Sequence, residues 1–218
     1  MLGGTAVWLI TRSSDSGSPA GGAASKGTSG SASSTPGVSV NAKEFLDRID
    51  KASKATFHVR YSTGSATGSH AVLEIWHTAD RVRRDVQAVS ATEGTAHTEE
   101  ILANNKLVRC VLFAGKPWQC VGAPTSAGAS VADPLQGADH DVAGRKVTVT
   151  VDTIAGHPAK CYTVAAGTTT AKPSRYCLSA DNVPLRIDGG DGKPVDATNY
   201  DTNVPSSVFT PPAKVAGS

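Results

Sequence analysis

The residues most able to do chemistry in this chain are its histidines, its Asp-Gly clusters, a run of arginines and four cysteines. The six histidines, His58, His70, His77, His97, His140 and His157, are scattered. No HExxH is present, and no histidine pair stands four residues apart, so a helical metal site has no signature. His58 and His70 fall on strands expected to be neighbours, where a surface metal pair is conceivable; solvated or hydrogen-bonded imidazoles explain them better. Asp188, Asp191, Asp196 and Asp201 gather around an Asp-Gly-Gly-Asp-Gly turn. That cluster lacks the spacing and closing Glu of a calcium loop, and a tight hairpin turn accounts for it. No GxSxG nucleophile elbow occurs. Arg81, Arg83 and Arg84 suit either an anionic headgroup or a solvated strand face. The residues therefore point to a non-enzymatic protein with no catalytic residue, no metal and no cofactor.

Cysteines 110, 120, 161 and 177 carry a stronger signal. Cys161 and Cys177 lie in two strand-forming runs on either side of a turn-rich segment near Thr169. Cys110 and Cys120 flank Ala114-Gly115-Lys116-Pro117 in the same way. Four cysteines allow three pairings, and only the local one, 110 with 120 and 161 with 177, explains why each pair straddles a turn. Opposed residues of an antiparallel pair lie within disulfide reach. Reduced buried thiols or a metal site are the alternatives, although the spacing is not CxxC and no histidine adjoins either pair. Local bridges imply an oxidising compartment, so the chain is expected to be extracytoplasmic, either secreted or anchored at the cell membrane.

The elements that hold these residues are mostly strands. A helix is expected to open the domain, with Asn41 as its cap, Glu44 completing a capping box, and Phe45, Leu46, Ile49 and Ala52 in one apolar stripe. Strands follow at 57–61, 70–76, 81–86, 98–102, 107–113, 118–121, 146–152, 161–164, 175–178, 183–187 and 196–202, with hairpin spacing. Between Gly122 and Asp141 the pattern lapses, leaving room for a short second helix or a lid. The formal net charge of +2 and the 5% aromatic content give no basis for nucleic-acid binding.

Ahead of this domain, residues 1–10 are apolar and uncharged, about half the length that a bilayer core requires. They read as the second half of a signal anchor that starts further upstream, tethering the chain to a membrane. No cysteine precedes Cys110, so the sequence contains no lipobox. Residues 11–37 are Ser, Gly, Ala, Thr and Pro with three isolated charges, a composition that makes a disordered linker. Residues 38–215 form the folded domain.

The order of these elements resembles the LolA-like fold of bacterial lipoprotein and lipid carriers. That family includes LolA, LolB and the LppX/LprG-type lipoproteins of actinobacteria. The resemblance rests on the opening helix running into Phe57-His58-Val59-Arg60-Tyr61, and on Ile75 to Val86 with arginines before an acid. It also rests on Ile154-Ala155-Gly156-His157 and on the ending from Val204 to Pro212, with Phe209-Thr210-Pro211-Pro212 like the family's terminal FxxP segment. It implies an α+β fold, a strongly curved antiparallel half-barrel sheet with the helix in its concavity. The lining would come from Phe57, Val59, Tyr61, Leu73, Ile75, Val82 and Val86 facing Phe45 and Ile49. As a cavity it would take an acyl-chain lipid or a lipidated protein, in a cell-envelope lipid- or lipoprotein-binding role. As a packed core it would serve an envelope sensor or scaffold that binds proteins. The oligomeric state is not legible.

Overall fold

The computed structural model describes residues 40–64, 69–90, 94–123, 135, 138, 142, 144–167, 172–189 and 194–216. The apolar segment 1–10, the linker 11–37, most of the stretch between Gly122 and Asp141, and His140 lie outside the described residues.

One helix, α1 (Val40–Ala52), precedes the strands β1 (Phe57–Gly64), β2 (His70–His77), β3 (Arg81–Ser90), β4 (Gly94–Ala103), β5 (Lys106–Phe113) and β6 (Gln119–Ala123). Then come β7 (Val147–Ile154), β8 (His157–Val164), β9 (Ser174–Ser179), β10 (Pro184–Asp188), β11 (Val195–Asp201), a 3-10 turn (Ser206–Phe209) and β12 (Val215–Ala216). The strands make one 12-stranded sheet in the order β12-β6-β5-β4-β3-β2-β1-β11-β10-β9-β8-β7. All neighbours run antiparallel except β12, which joins β6 in parallel. Among the described residues the architecture is a large, open, curved antiparallel sheet with one continuous α-helix, α+β as expected. A second helix is not shown; Leu135, Ala138 and Val142 of that stretch are described and are buried in the core.

Turn chemistry explains two of the hairpins. Ala103 pairs with Lys106 and Ile154 with His157, leaving two-residue loops. Their φ angles are positive, at 52° and 58° for Asn104 and Asn105, and at 51° and 78° for Ala155 and Gly156. Such turns match the right-handed twist of the flanking strands. Asn and Gly enter that region readily, while Ala155 does so at a cost.

α1 buries Ala42, Phe45 and Ala52. Phe45 stacks on Tyr162 and Tyr176 at ring-centroid distances of 4.8 and 5.4 Å. Asn41 lies one residue inside the helix rather than capping it: its amide donates to the Val147 carbonyl at 3.1 Å. Glu44, expected to complete the capping box, accepts from Lys160 at 2.5 Å and from Tyr162 at 2.9 Å. These long-range bonds fix the helix to β7 and β8.

The core has two main clusters. The first joins α1 to Val147, Tyr162, Val164, Tyr176 and Leu178. The second joins Phe57, Val59, Tyr61 and Ile75 to Ile154, Ala159, Cys161, Cys177, Val183 and Leu185. Alternate residues of β8 and β9 thus serve different clusters, Tyr162 and Tyr176 one, Cys161 and Cys177 the other. This part of the sheet is buried on both faces, which is why residues 159–164 and 176–178 hold so few exposed side chains.

Both local disulfides form. Cys110 stands opposite Cys120 and Cys161 opposite Cys177, with Cα separations of 4.1 and 3.9 Å. Among the described residues no helix is long and apolar enough to cross a membrane.

Candidate functional site

The densest chemistry lies on one face of β1–β6. Strand pairing sets Arg60 opposite Glu74, Glu74 opposite Asp85, Asp85 opposite Glu99, and Glu99 opposite Cys110, which is bonded to Cys120. Directly opposed residues share a face, so three carboxyl groups stand side by side in one row. Like charges in that arrangement repel. The adjoining row supplies the compensation, His58 opposite Trp76 and Trp76 opposite Arg83.

Arg83 is the hub. It donates through Nε and NH2 to Asp85 at 2.8 and 2.7 Å, and NH2 also lies 2.8 Å from Glu99 Oε1. Its NH1 donates to the Val208 carbonyl at 2.7 Å, and its guanidinium lies 5.1 Å from the Trp76 ring centroid. Trp76 stacks on His58 at 4.6 Å, and His97 meets the Trp118 edge at 4.9 Å. The C-terminal segment closes over this face. Its 3-10 turn touches β3 and β4, Phe209 lies under Arg81 at 4.7 Å, and β12 pairs with β6.

This cover leaves Asp85 7% and Glu99 3% exposed. Glu99 Oε2 is buried without a hydrogen-bond partner. Burial first, then the Asp85 charge, pushes the Glu99 carboxyl up to about 7, against the pull of Arg83. One guanidinium therefore serves two carboxylates, and a proton on Glu99 supplies the remaining neutralisation near neutral pH. At the open end of the row the logic reverses. The hydrogen bond to His58 holds Glu74 below the usual carboxylate range, and the bond to Glu74 raises His58. Asp85, His97 and Glu99 each bring a donor atom within 4.8 Å of the others. Arg83 already supplies a cation there, and the group is a buried ion network.

The nine residues expected to line a cavity divide between the clusters. Phe45 and Ile49 pack with β8 and β9 in the first. Phe57, Val59, Tyr61 and Ile75 lie inside the second, with Leu73 and Val82 at its border. Val86 is half-buried and belongs to neither. The helix residues are thus not brought onto β1–β3. His58 and His70 are also apart: His58 pairs with Trp76, whereas His70 pairs with Gly64 at the far end of the hairpin. Each of the three arginines has an acidic partner, Arg81 with Asp80, Arg83 with Asp85 and Glu99, Arg84 with Glu100. A cleft of about 400 Å³ lies at the hairpin ends, between His77, Thr78, Arg81, Leu102 and Asn104. The Asp85–His97–Glu99 group was not anticipated. Its one signal is the Arg83-x-Asp85 spacing, which places opposite charges on the same face of a strand.

No family model matches the chain, and no curated protein matches it. Solved structures do. A crystal structure of MucB is 19% identical, covers 80% of this chain and 64% of that chain, and superposes with a TM-score of 0.51. A complex of Pseudomonas aeruginosa MucA and MucB is 14% identical, covers 79% and 61%, and gives 0.50. This chain spans about three fifths of the length of those chains. At such identity the likeness speaks for the fold alone, and it supports the LolA-like arrangement of the sheet without favouring the LppX/LprG type.

Proposed function

We propose that this chain is a non-catalytic, extracytoplasmic module of the cell envelope that binds protein through a LolA-like sheet with a filled interior. The observation that carries the reading is the packing of the apolar residues. Phe45, Phe57, Val59, Tyr61 and Ile75 are each 2% exposed or less. An acyl chain would have to displace side chains that already contact one another. Each large side chain so displaced costs on the order of 2 kcal/mol of burial. Two disulfides support an oxidising compartment. A MucB of this fold has been solved with MucA, which supports a polypeptide partner here. Residues 1–10 as part of a membrane anchor and 11–37 as a tether complete the proposal, holding the domain of residues 38–215 away from a surface.

The lipid- or lipoprotein-carrier reading keeps the family resemblance and requires the packed clusters that hold these residues to open. Chemical cross-linking of the full chain in envelope fractions, followed by native mass spectrometry, discriminates the two. The expected product contains a polypeptide partner and no stoichiometric lipid. A lipid mass held one to one by the purified chain would put the carrier reading in its place.

A further inference from the structure

The two ends of the sheet are protected unequally. One terminal strand, β12, has only two residues. The other, β7, has eight, Val-Thr-Val-Thr-Val-Asp-Thr-Ile, with no Lys, Arg, Pro or Gly. Edge strands are normally blunted by such residues, by bulges or by shortness. The single charge, Asp152, is bound by Arg175 at 3.2 Å and Arg186 at 3.0 Å. Val151 is 77% exposed.

Pairing geometry shows which backbone groups face outward. The Cys161–Cys177 Cα distance of 3.9 Å marks a closely spaced pair without mutual hydrogen bonds. Cys161 therefore bonds its other neighbour, Thr150, and the even-numbered residues of β7 bond inward. The two-residue turn after Ile154 agrees, since Ile154 and His157 close it as a hydrogen-bonded pair. The odd-numbered residues point outward. At one end the Val147 carbonyl accepts from Asn41, and at the other the Thr153 N–H donates to Asp152 Oδ1 at 2.8 Å. Among the described residues, the unused groups between these caps are those of Val149 and Val151 with the Thr153 carbonyl, a window centred on Val151.

We infer that β7 pairs with β7 of a second copy of this chain, antiparallel about a two-fold axis through Val151. In that register Val151 meets Val151, Val149 meets Thr153, and Thr150 meets Asp152. β-branched residues then oppose one another and no like charges do, which favours cross-strand pairing. A register centred on Val149 would need the Val147 carbonyl that Asn41 occupies. The Val151 register forms about four inter-chain hydrogen bonds while both end caps stay in place. A single strand pair covers far less than the roughly 800 Å² per partner of a standard interface, so the dimer is weak and concentration-dependent. This inference stands apart from the protein-binding reading above.

Sedimentation velocity of the full chain from about 5 to about 500 µM tests it by mass action. The expected result is a shift from monomer toward dimer that Val151→Lys abolishes without changing the melting temperature, because the side chain is exposed. Val151→Cys should yield a covalent dimer on mild oxidation, and Thr148→Cys, which faces Ile154 in this register, should not. A chain that stays monomeric throughout overturns the inference. So does a dimer that Val151→Lys leaves intact, or one in which the two cysteine variants cross-link equally.

Discussion

Glu99→Gln isolates the buried carboxyl. The glutamine keeps an oxygen for Arg83 and resembles the protonated acid in shape. In the folded chain the carboxyl is raised from its ordinary 4.5 to about 7, by burial first and then by Asp85. Below about pH 4.5 both folded and unfolded states hold the proton, and the group contributes nothing to the pH dependence. Between about 4.5 and 7 the unfolded state releases its proton while the folded state retains it, so stability falls as pH rises. Above about 7 both states are ionised and the full cost remains, on the order of 3 kcal/mol. The variant has no proton to lose. Urea unfolding at pH 5, 6, 7 and 8 should show the variant gaining on the parent as pH rises, with the gap levelling off above about 7. Parallel profiles, or a gap that opens toward acid, would refute the placement of Glu99 as the group that holds the proton.

Other consequences follow from the packing. Phe45→Ala should cost about 3–5 kcal/mol in urea unfolding, because the ring is fully buried against Tyr162 and Tyr176. Ala155→Gly should stabilise by about 0.5–1 kcal/mol, since the φ of 51° suits glycine better, and calorimetry would register a higher melting temperature. Removing Cys161 and Cys177 together should cost about 3 kcal/mol on the loop-entropy account, read as a lower denaturation midpoint. His58→Gln should remove stability that is present below about pH 6.5 and fades as pH rises through the folded-state value, because Glu74 favours the protonated imidazole. The gap between parent and variant should therefore narrow toward alkaline pH.

Much of the strand order was legible because residues such as 146–152 alternate cleanly and turns punctuate the chain. The disulfide pairing was legible for the same reason, since each cysteine pair brackets a turn. The helix stripe was visible, but not the surface it meets: periodicity gives the apolar face of Phe45 and Ile49 and says nothing of which strands receive it. Asn41 misled because an amide near a helix start fits a local cap and a distant carbonyl equally well. The two-residue strand β12 and the pairing of β11 with β1 depend on partners far along the chain, which no local pattern encodes. The row of Glu74, Asp85 and Glu99 was invisible for a related reason. Each acid alone looks like a solvated strand residue, and only the register across β2, β3 and β4, with the C-terminal segment laid over it, makes them one buried group.

The central claim is a filled interior. Titration of the full chain with a fluorescent acyl probe tests it most directly, with Trp76 and Trp118 as internal reporters. The account predicts no saturable binding and no change in tryptophan emission. Stoichiometric binding at about micromolar affinity or tighter would contradict it and show that the two apolar clusters open to hold a lipid.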